Sequence, residues 1–273
     1  MARIESLGVL LTTGGSDFLA EEYGKVIANV QKRSVAARIK NTSLSGSPTA
    51  GTVEAKRFEN RSSNDYGTAR AAGKGQQVKT APVIIAIDQD RELITEVEQK
   101  DVSLYGVDNF IQRQAAMDEQ SMLRELDTEF FSVAASDAKA VTPAGSTPEA
   151  IAEAAIQAVE TVKNKFVHGV PRDMIHLVCA PSFYGELRTY LDKIEGASGE
   201  AINIYHGVQV HSEVYLPAGI KCLAMIHGAV AQPVMPTVAP AQKVPLSNAY
   251  AFGLFYSYGT KTVMSDLIFK VAD

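Results

Sequence analysis

The chain has 273 residues, 46% hydrophobic and 21% charged, with a formal net charge of -5. It is long and apolar enough to bury a core in one or two domains, and its acidic balance excludes a chain that binds polyanions along its whole length. Cys179 and Cys222 are the only cysteines. Two thiols cannot build a disulfide framework or a cysteine-based zinc site, and they suit a protein made in a reducing cytoplasm.

The opening MARIESLGVLLTTGG holds one short apolar run, Leu7 to Leu11, too short and too weakly basic for a secretion signal. No stretch reaches the roughly 18 to 20 apolar residues that span a bilayer, so a soluble chain with no membrane partner is expected. Residues 17 to 40 predict one amphipathic helix with Phe18, Tyr23, Val26, Ile27, Val30, Val35 and Ile39 as its stripe. No acid occurs from Tyr23 to Val53, whereas Lys25, Lys32, Arg33, Arg38 and Lys40 are all basic. NTSLSGSPTAGT (41 to 52) has linker composition, so the first fifty residues read as an arm with a hinge.

VEAKRF (53 to 58) and VKTAPVIIAID (78 to 88) read as two strands of a long hairpin around the polar finger NRSSNDYGTARAAGKGQQ (60 to 77). Residues 53 to 79 carry a net charge of +3, and residues 88 to 129 one of -8. Within the acidic block, Val107, Ile111, Ala115, Met122, Leu126, Phe130 and Val133 recur at helical spacing, with no proline or glycine from 107 to 135. That predicts a strut on the order of 40 Å long.

Thr147 and Pro148 start a second helix, PEAIAEAAIQAVETVKNKF, which Gly169 and Pro171 end. MIHLVCAPS is a buried strand leading into the helix FYGELRTYLDKIEG. GVQVHSEVYLPAG and KCLAMIHGAVAQPV read as strands, and Pro233, Pro236, Pro240 and Pro245 mark an irregular return. The closing AYAFGLFYSYGTKTVMSDLIFKVAD predicts two strands turning at Gly259, with Tyr250, Phe252, Leu254, Tyr256 and Tyr258 along one face.

Catalytic patterns fail on inspection. GTARAAGKG resembles a phosphate-binding loop, but five residues separate Gly67 from Gly73, Gly75 stands where a hydroxyl is needed, and a strand follows instead of a helix. The five histidines, His168, His176, His206, His211 and His227, form no metalloprotease pattern, and no nucleophile-elbow motif exists. No enzyme, cofactor or metal site is expected.

The order of parts, basic arm, polar-tipped hairpin, acidic strut, central α/β region and aromatic terminal strands, resembles the tailed-bacteriophage major capsid protein of the Hong Kong 97 type. The residues carrying it are VEAKRF and VKTAPVIIAID, DVSLYGVDNFIQRQAAMDEQSMLRELDTEFF, TPEAIAEAAIQAVETV, MIHLVCAPSFYGELR, GVQVHSEVYLPAG and YSYGTKTVMSDLIFKV. It is a likeness of layout over nearly the whole chain, with no certifying short motif. It implies an α+β capsid fold with an N-terminal arm (1–50), an extended hairpin loop (51–88), a peripheral domain with the spine helix (89–146), an axial domain (147–239) and a return to the peripheral domain (240–273). It further implies a structural protein that assembles as a homo-oligomer into pentamers and hexamers of an icosahedral virion shell around DNA, made in the host cytoplasm. Portal and decoration proteins would be partners, as would a scaffold, either a separate chain or one already removed.

On that reading Arg57, Arg61, Arg70 and Lys74 would meet Asp118, Glu119 and Glu125 of a neighbouring subunit. Lys25, Lys32, Arg33, Arg38 and Lys40 would face packaged nucleic acid or a scaffold. Some members of the family join a loop lysine to a neighbour's asparagine, but nothing local singles out Lys56, Lys74 or Lys79 with Asn248. Two rivals remain: an encapsulin-type nanocompartment shell, and a cytosolic α/β enzyme working from residues 174 to 232.

Overall fold

The computed structural model describes residues 6–61, 63, 65–67, 78–102, 106–195 and 203–273. In chain order its strands are β1 (Leu44–Ser45), β2 (Thr52–Phe58), β3 (Thr80–Ala86), β4 (Gln89–Glu98), β5 (Lys139–Ala140), β6 (Ile175–Cys179) and β7 (Ile204–Tyr205). These are followed by β8 (Val208–Ser212), β9 (Ile220–Ile226), β10 (Val230–Ala231), β11 (Val234–Lys243), β12 (Ala249–Tyr258), β13 (Lys261–Thr262) and β14 (Ile268–Ala272). The long helices are Thr13–Arg33, Val107–Asp137, Pro148–Glu160 and Pro181–Glu195. The chain divides into two compact units, the first made of 1–38, 87–127 and 233–259, the second of 39–86, 128–232 and 260–273.

In the first unit the sheet has the order β11-β12-β4, antiparallel throughout. Its inner face carries Phe252, Leu254, Tyr256, Tyr258 and Val97. These join Ile111, Ala115, Met122 and Leu126 of the long helix and Leu19, Tyr23, Val26 and Val30 of the first helix in one buried cluster. The expected aromatic face of β12 therefore exists and forms a core. The first helix packs into that same core through its apolar stripe, so this stretch of the expected arm belongs to a compact unit.

The single helix expected over 17–40 is interrupted at Ser34, which is extended at φ -62 and ψ 128. The Ser34 hydroxyl donates to Asp127 Oδ1 at 2.5 Å and accepts from Ala37 N at 2.8 Å, capping the short helix Val35–Ile39. Asp127 also accepts from the Val35 and Ala36 amides. Burial pushes its carboxyl above the usual aspartate value, and the donors oppose that.

The proline-rich return is a ten-residue strand, β11, instead of an irregular segment. It lies at the sheet edge, where Pro236 and Pro240 need donate no ladder hydrogen bond on the open side, and its register shifts between Ala239 and Gln242. The expected hairpin turning at Gly259 is not formed. β12 pairs with β11 and β4, whereas β14 pairs with β9 and β5 in a different sheet.

The second unit holds a six-stranded sheet of order β5-β14-β9-β6-β8-β7. All five residues of β6 are buried, and the helix Pro181–Glu195 connects β6 to its parallel neighbour β8. The helix starting at Pro148 is capped by the Thr147 hydroxyl, which accepts from Ala150 N at 3.3 Å. It ends at Glu160, short of the expected Phe166, because Asn164 Oδ1 accepts from Phe166 N and Val167 N at 2.8 and 3.0 Å and turns the chain. In this unit, β1, β2 and β3 form a separate three-stranded sheet, with β2 and β3 paired from Thr52↔Ala86 to Phe58↔Thr80. The expected hairpin flanks are present.

Gly253 tests the β12–β4 pairing, because a Cβ there would lie 1.9 Å from the Leu93 carbonyl oxygen. Gly253→Ala is expected to destabilise the chain by about 1–3 kcal/mol, read from denaturant midpoints, because backbone and not a side chain must yield.

Candidate assembly surfaces

Alternation gives the β2–β3 hairpin two unlike faces. Val53, Ala55 and Ile85 point inward and are buried, whereas Phe58 and Ile84, on the other face, are each 60% exposed. Lys56 shares that outer face through its pairing with Pro82. Arg57, on the inner face, donates to Asp266 through both terminal nitrogens at 2.5 and 2.8 Å, and its guanidinium lies 4.1 Å from the centre of the Phe166 ring. Asn164 Nδ2 also donates to Asp266. Burial alone would raise the Asp266 carboxyl, but Arg57 and Asn164 overcome it and hold the group below the usual aspartate range.

Arg57 is thus occupied within its own chain. Arg61 is exposed at the base of the finger, and Arg70 and Lys74 lie outside the described residues. The three acids singled out on the long helix also have partners within the chain. Asp118 accepts from Tyr23 Oη and Gln114 Nε2, both at 3.1 Å. Glu119 accepts from Arg33 at 2.6 Å and Asn29 at 2.9 Å. Glu125 accepts from Arg91, from Tyr256 Oη at 2.6 Å and from Tyr258 Oη at 3.2 Å.

Burial pushes the Asp118 carboxyl up, and burial beside that carboxylate raises the Tyr23 phenol. For Glu125, burial acts upward but the Tyr256 and Arg91 donors prevail, leaving it below the usual glutamate value.

The basic stretch from Lys25 to Lys40 is free of acids in sequence but not in space. Lys25 pairs with Glu21 and Glu22 at 2.9 and 2.8 Å, Arg33 with Glu119, and Lys40 Nζ donates to the Gln232 carbonyl at 3.1 Å. Arg38 Nε reaches the Ser34 carbonyl at 3.4 Å, and Lys32 is exposed.

One surface was not singled out from the sequence. In β4, Asp90, Glu92, Ile94 and Glu96 alternate onto the outer face of the first unit's sheet. Beside these acids Ile94, Ala239, Pro240, Ala251 and Phe255 line a groove of about 160 Å³. The signal was present in QDRELITEVE, where an acid or Ile94 recurs at every second position. Among the described residues, no cluster of three or more His, Cys, Asp or Glu side chains is placed to hold a metal, and no helix is long and apolar enough to cross a membrane.

No family model and no curated protein sequence matches the chain. Solved structures do. One from Mycobacterium phage Che8 aligns at TM-score 0.63 and 17% identity, covering 88% of this chain and 91% of that one. The capsid structure of cyanophage P-SCSP1u aligns at 0.58 and 14% identity over 85% of each chain. A virus-like particle from Pyrococcus furiosus aligns at 0.60 and 11% identity over 92% and 97%. The chain has the fold of tailed-phage major capsid proteins.

Arg57→Ala is expected to cost about 2 kcal/mol, because it leaves Asp266 partly buried without its ion-pair partner. The lowered Asp266 pKa sets the sign of the pH dependence. The pair's contribution is fully present above the ordinary aspartate value of 3.8 and is lost as pH falls through the lower folded-state value. Denaturant titrations should therefore show the wild type and Arg57→Ala separated at pH 7 and converging at the acid end.

Proposed function

We propose that this chain is the repeating subunit of an icosahedral phage shell, closing as pentamers and hexamers around a DNA genome. The observation that carries the reading is a hairpin anchored on one face and open on the other, on a fold shared with phage capsids over most of the chain. A two- or three-stranded sheet with Phe58 and Ile84 uncovered has little reason to persist in a solitary molecule.

The same geometry supports a different inter-subunit contact. Asp118, Glu119 and Glu125 of the long helix have partners of their own chain, so we assign the basic finger and the outer face of the hairpin to the acidic outer face of β4 in an adjacent subunit. Lys56 and Arg61, with Arg70 and Lys74 from the finger, would meet Glu92 and Glu96, and Phe58 would cover the groove beside Ile94 and Phe255. Exposed ion pairs contribute about 0–1 kcal/mol each, so they would set register while apolar contact supplies the adhesion. Lys32 on the first helix and Arg38 on the short helix after it are exposed, and they are the ones proposed to face packaged nucleic acid through sequence-independent phosphate contacts.

Electron microscopy of purified protein should show rings or closed particles. Lys56→Glu with Arg61→Glu should lower the assembled fraction several-fold at low salt, and adding Glu92→Lys with Glu96→Lys should restore it. Failure of the swap to rescue would remove the β4 assignment but leave the shell reading. A monomer at every concentration would remove both, and particles holding protein cargo instead of nuclease-protected DNA would favour a nanocompartment.

A further inference from the structure

The chain's only two cysteines, 43 positions apart, lie directly opposite one another in the six-stranded sheet: Cys179 on β6 is the cross-strand partner of Cys222 on β9. Both are fully buried free thiols. Their place in the ladder follows from its hydrogen bonds. Ala180 N donates to the Lys221 carbonyl at 2.9 Å, which makes 180 and 221 a hydrogen-bonded pair. Hydrogen-bonded and non-hydrogen-bonded pairs alternate along an antiparallel ladder, so Cys179 and Cys222 occupy a non-hydrogen-bonded pair. Consistent with this, Cys179 turns its carbonyl away from β9 and accepts from Glu213 N at 2.9 Å. In such pairs the Cα atoms stand about 4.5 Å apart with side chains on one face, inside the span of about 4.4 to 6.8 Å that a disulfide bridges.

We propose that Cys179 and Cys222 form a latent cross-strand disulfide that fastens β6 to β9 when the protein meets an oxidising environment. The reaction is a thiol–disulfide exchange with a small-molecule disulfide. One cysteine thiolate attacks the reagent and expels a small thiolate; the second cysteine thiolate then attacks the mixed disulfide and expels the other. Two protein S–H bonds give one S–S bond, and the reagent takes up the two electrons and two protons as two small thiols. Burial holds both thiols in their protonated form, with Cys222 pushed up to about 12. The closed sheet is therefore slow to react, and the bridge forms during folding or while the sheet is transiently open. The proposal does not depend on the shell reading.

The full chain should be refolded from denaturant with a mixture of oxidised and reduced glutathione, alkylated and weighed. The expected product is monomeric on a non-reducing gel, 2 Da lighter than the reduced chain and without alkylatable thiols, and its thermal midpoint should rise by several degrees. Cys179→Ser treated in the same way should show no such mass loss, which keeps the test decisive if that variant is itself less stable. Retention of two alkylatable thiols, bridging between chains, or a lower midpoint for the oxidised product would each overturn the proposal.

Discussion

The ion pair between Arg57 and Asp266 decides what the β2–β3 hairpin can offer to anything outside its own chain. A partly buried guanidinium–carboxylate pair stabilises only when its remaining polar sites are satisfied. Here the carboxylate accepts two Arg57 donors and Asn164, and the flat face of the guanidinium rests on Phe166. Three segments far apart in sequence thus converge at the root of the hairpin. Because strand residues alternate, fixing Arg57 inward also fixes Lys56 and Phe58 outward. A one-residue slip would exchange the two faces and bury Lys56 in place of Arg57.

Seen along the chain, the charges form a basic stretch from Lys25 to Lys40, a basic finger and an acidic strut. In space much of that contrast is consumed locally. Arg33 meets Glu119, Arg91 meets Glu125, Lys25 meets two acids of its own helix, and Asp118 is capped by a tyrosine. A block of like charge in sequence therefore overstates the field presented to a partner. What stays outward is decided by alternation in a strand, and the acids of β4 show it. Leu93 and Val97 turn inward, while Glu92 and Glu96 keep their carboxylates in solvent.

Local pattern was legible where it alone determines the element. The long helix reads from Val107 to Val133 because its apolar residues share one stripe without a breaker, and the flanks of the hairpin read from β-branched alternation. The interruption at Ser34 was not legible, since the partner that stabilises it, Asp127, lies 93 positions away. β11 was hidden by its prolines, which signal a break until the strand is known to lie at an edge. The closing strands were read as partners because they are neighbours in sequence, yet β14 is claimed by β9. Sheet pairing over long separations leaves little local trace. The same holds for Arg57, which looked available because nothing near it in sequence announces Asp266.

Magnitudes bear on how such a subunit could assemble. Covering the exposed 60% of Phe58 and of Ile84 would contribute about 2–4 kcal/mol, and each exposed ion pair at most about 1 kcal/mol. Immobilising one subunit against another costs about 4–15 kcal/mol, so a single hairpin contact leaves two copies nearly unassociated. On the proposed shell reading, a head-to-tail contact of this kind would become stable only on closing into a ring, where every subunit would both give a hairpin and receive one. The weakness is then useful. A misplaced subunit held by one contact departs quickly, while one held on both sides stays, and the preference for the closed form comes from the number of contacts made and not from the strength of any one.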